Sequence, residues 1–278
     1  MSDDARTAVV TGGARGIGLS IARRLLSAGL NVVVSDVDEA ALAEVVTSSS
    51  SNELRSIRAD VTEPSSMRDL ATAAVEAFGG VDVLCCNAGV GGSSPISANA
   101  DDLDAWRHVF DVNVFGVVNT VHAFLPILRK QPNGHIVITA SRTGLVPTPY
   151  TGAYGSSKFA VVAIGEMLGA ELLDAGDDVA VTILCPGAVQ TDLAQHGAAA
   201  PGADPRLAAL HGERAKSAIS AELLAEHVLH ALETRQRYVI THPVTIDWMR
   251  ERLDSVAADA QMVPSIPDQV VPATASEG

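Results

Sequence analysis

Short apolar runs alternate with longer amphipathic stretches along most of the chain. The runs at 7–11 (TAVVT), 31–35 (NVVVS), 54–59 (LRSIRA), 81–86 (VDVLCC), 135–140 (HIVITA), 179–185 (VAVTILC) and 238–241 (YVIT) are rich in β-branched residues. Most are apolar at odd and even positions alike, as strands covered on both faces are. Between them, 16–28, 38–47, 64–79, 101–130, 153–175 and 220–234 read as helices. Strand–helix alternation requires crossovers between parallel strands. The pattern therefore predicts an α/β fold: one doubly wound Rossmann-type domain with a sheet of about seven strands and helices on both faces. Residues 190–219 break the rhythm with Ala, Gly and Pro around QHGAAAPGADPR. A connection of that length is either a functional lid or a disordered insertion. We expect a mobile substrate lid within a domain spanning 1–260, and a loose, proline-bearing tail over 261–278.

Composition narrows the partners. A chain of 278 residues that is 47% apolar can bury a large core, and its net charge of −14 argues against nucleic acid or an anionic membrane as partner. No uninterrupted apolar run approaches eighteen residues, so no membrane span is expected. The opening MSDDAR is acidic where a secretory signal is basic and then apolar. Cys85 and Cys86, as strand neighbours, point to opposite faces, and Cys185 stands alone. Three thiols without a pairing framework suggest a reducing compartment, hence a cytoplasmic location. His227 and His230 in HVLH lack further ligands, so no metal is expected.

The chemistry begins at TGGARGIG, residues 11–18, where Gly12, Gly16 and Gly18 give G-x-x-x-G-x-G between the first strand and the first helix. The carboxyl edge of a doubly wound sheet is where ligands bind. A helix N-terminus there offers free N–H groups to a pyrophosphate, which glycines let approach. Tyr154 and Lys158 are four residues apart, so a helix sets them on one face. A phenol ionises near pH 10, and moving it about 3 units toward neutrality takes about 4 kcal/mol. A cation about 4 Å away at an effective dielectric near 20 supplies roughly that amount.

Asn87-Ala88-Gly89 follows the fourth strand, Asn113 lies in the long helix, and Ser141 stands thirteen residues before Tyr154-Gly-Ser-Ser-Lys158. Pro186-Gly187 follows the sixth strand, with Thr191 close behind. Together with the glycine turn, this ordered set over residues 5–192 resembles the classical branch of the short-chain dehydrogenase/reductase family. The resemblance implies an oxidoreductase that interconverts a secondary alcohol and a ketone with NAD or NADP. It implies that Tyr154 is the acid–base group and that Ser141 holds the substrate oxygen. Lys158 would lower the tyrosine pKa and bind the nicotinamide ribose, and Asn113 would hold a water that links Lys158 to solvent. The implied cofactor contacts are Gly12, Arg15, Gly16, Ile17, Gly18, Asp36, Asp60, Val61, Asn87, Ala88, Gly89, Tyr154, Lys158, Pro186, Gly187, Val189 and Thr191. Asp60 and Val61 would lie at the adenine and Thr191 at the carboxamide. A homotetramer or homodimer through helices 101–130 and 153–175 is also implied.

Asp36 ends the second strand, placed to accept from the ribose hydroxyls and to repel a 2′-phosphate. Arg15 in the glycine turn pulls the other way, but an exposed arginine returns only about 1 kcal/mol. NAD is expected over NADP. The substrate walls are expected from 90–98, 142–150 and 190–219, with Leu145, Val146, Pro147 and Pro149 apolar. Arg142 and Arg206 are possible grips for an anion, and His196 and His211 are expected to be solvated. Trp106 and Phe110, four apart on the long helix, are expected to pack in the core or at a subunit contact. A neutral, fairly apolar substrate is expected. A silent cofactor-binding protein is disfavoured by the intact Ser141, Tyr154 and Lys158. A dehydratase or epimerase of the extended branch is disfavoured by the little chain that follows residue 192.

Overall fold

A computed structural model of the chain describes residues 5–47, 51–91, 96, 103–191, 212 and 215–260. Seven strands form it: β1 (Thr7–Thr11), β2 (Asn31–Asp36), β3 (Leu54–Arg58), β4 (Val83–Cys86), β5 (Gly134–Thr139), β6 (Val179–Cys185) and β7 (Tyr238–Ile240). All pair in parallel in the order β3-β2-β1-β4-β5-β6-β7. The order reverses direction at β1, so a crevice opens between the carboxyl ends of β1 and β4. The expected fourth strand is shorter than 81–86. The Asp82 carboxylate turns to accept the Thr7 N–H at 2.7 Å and pins the start of β1.

The helices are α1 (Gly16–Ser27), α2 (Glu39–Thr47), α3 (Pro64–Phe78), α4 (Leu103–Phe110), α5 (Gly116–Leu128), α6 (Gly152–Asp174), α7 (Ala221–Thr234) and α8 (Val244–Ala260). Two apolar clusters cover the two faces of the sheet, one with α3, α5 and α6 and the other with α1, α2 and α7. Cys86 belongs to the first and Cys85 to the second, as strand alternation requires. All three cysteines are free and buried.

Two features depart from the sequence reading. The helix expected over 101–130 contains a π-turn, Asp111–Phe115, between α4 and α5. One added residue per turn leaves no mark on hydrophobic periodicity. An 18-residue window within the continuous run Leu103–Leu128 has a mean hydropathy of 1.3, by length and composition apolar enough to cross a membrane. Interrupting polar residues hid this from a search for unbroken apolar runs. About half of it is buried against the sheet and α3. The second departure is α8, which the sequence reading left without an element. Only Thr245 is buried there, so the helix carries almost no apolar stripe to betray it. Trp106 and Phe110 are half-buried and stack on each other at 6.3 Å.

His135 is buried in β5. The Thr182 hydroxyl donates to the Gln236 carbonyl (2.5 Å), so its oxygen must accept the His135 Nε2–H at 2.8 Å. Burial lowers the imidazole pKa to about 4, with the charges of Arg235 and Arg6 adding to the effect. Between pH 6.5 and 4 the unfolded chain therefore takes up a proton that the native state refuses. Stability present at neutral pH is lost across that window, by about 3 kcal/mol at its end. Urea unfolding at pH 7 and pH 4.5 should show this loss shrinking in His135→Gln. An unchanged difference between the two pH values would remove His135 from the account.

Candidate active site

The turn between β1 and α1 is built to receive an anion. Gly12 and Gly16 have φ of +59° and +53°, the left-handed region that glycine enters without strain. A Cβ at Gly18 would collide with the Gly12 carbonyl and the Asn87 amide. Arg15, the N-cap of α1, makes no side-chain capping bond, and the first turn holds no acid. The positive end of the α1 dipole is thus uncompensated by the protein.

The strand ends beside it are cross-linked. The Thr11 hydroxyl donates to the Cys85 carbonyl and accepts from the Asn87 and Ala88 N–H groups. The Asn87 side chain donates to the Thr11 and Gly12 carbonyls (3.1 Å each) and accepts from the Thr139 hydroxyl. Asn87 therefore ties β1, β4 and β5 together at their carboxyl ends. Asp36 accepts from the Ala14 and Asp38 N–H groups. Arg15 is paired with Asp38 at 2.8 Å, with the two side chains 60% and 42% exposed. Arg58, the register partner of Asp36 on β3, is turned onto Glu39 at 3.3 Å. Its place beside Asp36 is invisible along the chain and appears only once β2 and β3 pair. Asp60 accepts from the N–H and hydroxyl of Thr62.

Past β5, Ser141 leads into a 3-10 turn, Arg142–Gly144. The Ser141 oxygen accepts from the Thr143 N–H (3.2 Å) and the Thr143 hydroxyl (2.9 Å). With its lone pairs engaged, the serine hydroxyl is left to donate. Tyr154 and Lys158 lie on one face of α6, with Nζ 5.8 Å from the phenol ring centre. Lys158 is buried and donates to the Thr139 carbonyl at 2.8 Å. Burial lowers its pKa to about 8, a shift that the neighbouring Cys185 partly opposes. Asn113, fully buried in the π-turn, accepts from the Val90 N–H and donates to the Val90 carbonyl and to Ser157. It holds the turn after β4 from behind.

A family model described as short chain dehydrogenase matches residues 6–201. The chain belongs to the short-chain dehydrogenase family. It is 34% identical over 269 residues to a 1-deoxy-11-beta-hydroxypentalenate dehydrogenase of Streptomyces exfoliatus, covering 95% of this chain and 93% of the relative. A short-chain dehydrogenase/reductase from Burkholderia phymatum, solved in complex with NAD, superposes with a TM-score of 0.82 at 36% identity, covering 96% of this chain and 99% of that one. An alcohol dehydrogenase from the archaeon Thermococcus sibiricus, complexed with 5-hydroxy-NADP, has a TM-score of 0.73 at 27% identity, covering 87% and 97%.

In this dehydrogenase one cavity of about 1240 Å³ brings the candidate residues together. Gly12, Arg15, Gly16, Ile17, Gly18, Asp36, Asp60, Val61, Asn87, Ala88, Gly89, Pro186, Gly187, Val189 and Thr191 line it, as do Ser141, Tyr154 and Lys158. Asn113 is not among the residues that line the cavity; its side chain bonds Val90 and Ser157 behind it. The expected wall from Leu145, Val146, Pro147 and Pro149 is absent from the lining. Leu145 and Val146 pack into the core beneath α6, because the 3-10 turn rotates them inward. The apolar lining instead includes Ile17, Val37, Val61, Val90, Val112, Ala188, Val189, Ala215 and Ala218. Thr143, from the expected 142–150 wall, lines the cavity, and so do His108 and Asp111, which escaped the sequence reading. The i, i+3 spacing of His108 and Asp111, just ahead of Asn113, was the available signal. The expected lid lies mostly outside the described residues (192–211 and 213–214), as do the tail at 261–278 and His196, Arg206 and His211.

Proposed function

We propose that the enzyme moves a hydride between NAD and a secondary alcohol or its ketone. The observation that carries this reading is the convergence of Ser141, Tyr154 and Lys158 on the same cavity as the uncapped α1 N-terminus and Asp36. The bound nicotinamide supplies the two-electron acceptor for the carbinol carbon. The protein does the rest. Tyr154 accepts the hydroxyl proton, and Ser141 donates to the substrate oxygen as its charge changes. The Lys158 ammonium favours the tyrosinate in a site dry enough for one charge to count. Asn113 fixes the turn that forms the floor at Val90, and we retain for it the relay from Lys158 to solvent. The Thr182-bonded His135 and the free, buried cysteines take no part.

Asp36 supports NAD as the cofactor. Its carboxylate sits at the end of β2 in the cavity, while both nearby guanidinium groups, Arg15 and Arg58, are occupied by Asp38 and Glu39. A 2′-phosphate there meets a like charge and would have to break one of these pairs. The complex of the Burkholderia protein with NAD agrees with this choice, and the 5-hydroxy-NADP of the archaeal enzyme marks the alternative. The lining suits a neutral, fairly apolar substrate. A homotetramer or homodimer is supported by Phe115, Met167 and Leu173, which are exposed on α6 and at the π-turn. Buried free thiols suit the cytoplasm.

The test is a panel of secondary alcohols and ketones assayed at 340 nm with each cofactor. NAD should exceed NADP at least tenfold in kcat/KM, and Asp36→Ala should narrow that gap. NADP used equally well or better by the parent protein would assign the site to Arg15. No turnover with either cofactor across the panel would defeat the oxidoreductase reading.

A further inference from the structure

β6 and β7 end side by side, so Pro186–Gly187 and Thr241–His242 leave the sheet at the same edge. The Gly187 N–H donates to the Thr241 hydroxyl oxygen at 3.0 Å. His242 continues from there in a defined tautomer. Its Nε2 lies 2.9 Å from the Ser217 carbonyl, which can only accept, so Nε2 carries the proton. Its Nδ1 then accepts the Thr241 hydroxyl proton at 2.8 Å. The imidazole also packs against Gly187, where a Cβ would collide with the ring. This is why position 187 takes a glycine: it needs room rather than φ.

The ring ties two segments that wall the cavity: Gly187 lines it, and Ser217 lies between the lining residues Ala215 and Ala218. A two-rung parallel ladder joins them, with Ile219 N–H on the Ala188 carbonyl (3.1 Å) and Gln190 N–H on the Ile219 carbonyl (2.9 Å). Gly187, Ala188, Val189 and Gln190 line the cavity from one side of the ladder, and Ala215 and Ala218 line it from the other. The His242 carbonyl accepts the Thr245 N–H at 2.9 Å, so the ring's own backbone is fixed at the start of α8.

We infer that His242 is a positioning residue, a peg that sets the spacing of the cofactor-side wall by holding Gly187 and Ser217 at once. The inference rests on the proposed use of this cavity for a nicotinamide nucleotide. Three full-length variants separate the two contacts. His242→Gln places a donor where Nε2 was and keeps the Ser217 bond. His242→Asn stops at the Nδ1 position, keeping an acceptor for Thr241 and losing Ser217. His242→Ala loses both. NADH affinity is read by fluorescence, and backbone hydrogen exchange is read over 186–191 and 215–220.

The Ala and Asn variants should bind NADH about tenfold more weakly, the scale of one lost hydrogen bond and the order that follows from it. Their exchange over 215–220 should quicken by a similar factor. The Gln variant should stay within about threefold of the parent on both readouts. Parental affinity and exchange in His242→Ala would overturn the inference. So would equal losses in Asn and Gln, or faster exchange spread evenly through the sheet. A parent protein that fails to bind NADH defeats the proposed function instead, and the exchange pattern still decides the role of the peg.

Discussion

Tyr154→Phe is expected to lower kcat by at least 100-fold while leaving NAD affinity within about threefold of the parent. The substitution deletes one oxygen. The ring keeps its place on α6 beneath the Lys158 ammonium, 5.8 Å from its centre. Ser141 still presents its hydroxyl, because the Thr143 bonds that orient it do not involve the tyrosine. What is lost is the group that takes the proton as the carbonyl forms, so the loss belongs in kcat rather than in binding. Steady-state kinetics with the best alcohol of the panel, together with NAD titration by fluorescence, make the comparison. Activity within a few-fold of the parent would remove Tyr154 from the chemistry.

Lys158→Met should move two readouts in opposite directions. Turnover and nucleotide affinity should both fall, kcat/KM by at least about 100-fold, because one charge serves the tyrosine and the ribose. Stability at pH 7 should rise. Burial has lowered the Lys158 pKa from 10.5 to about 8, so carrying the proton at pH 7 costs about 3 kcal/mol. Methionine has nearly the same length and removes that cost. It also forfeits the bond to Thr139, leaving a net gain of about 1–2 kcal/mol and a melting temperature higher by a few degrees. The sign with pH is fixed. Above pH 8 the native lysine is neutral while the unfolded one still binds its proton, so the parent gains stability up to about pH 10.5. The advantage of the methionine variant should therefore shrink over that interval. A variant that melts lower at pH 7 would show that the ammonium is held by more than the structure displays.

The readable parts of the molecule were those with a period or a fixed order. Seven β-branched runs became seven parallel strands because burial on both faces writes an unbroken apolar signature. The glycine turn could be placed because the chain order of a doubly wound sheet fixes which strand ends meet, while Ser141, Tyr154 and Lys158 were placed together by the resemblance to the family. Pairings across strands were not readable. Arg58 is 22 residues from Asp36 yet beside it in the sheet, and the two bonds from Thr143 to Ser141 leave no mark in the sequence. The π-turn that buries Asn113 changes hydrogen-bond spacing without changing composition. Leu145 and Val146 were misassigned to the substrate because an apolar loop residue looks the same whether it faces a ligand or the core.

The ladder between Val189 and Ile219 gives the enzyme a place to change length. Val189 and Ile219 are bridged in register by two hydrogen bonds, so the chain is held at both points whatever length joins them. Residues inserted or deleted between those points leave every strand's pairing intact. The closure entropy grows only logarithmically, by about 0.6 kcal/mol for each doubling. Gly212, Ala215 and Ala218 face the cavity immediately before the return. Duplications and deletions upstream of them can therefore remodel what the enzyme accepts at little cost to folding. Libraries of varied length between residues 192 and 211 are a route to new substrates that active-site point mutation does not offer.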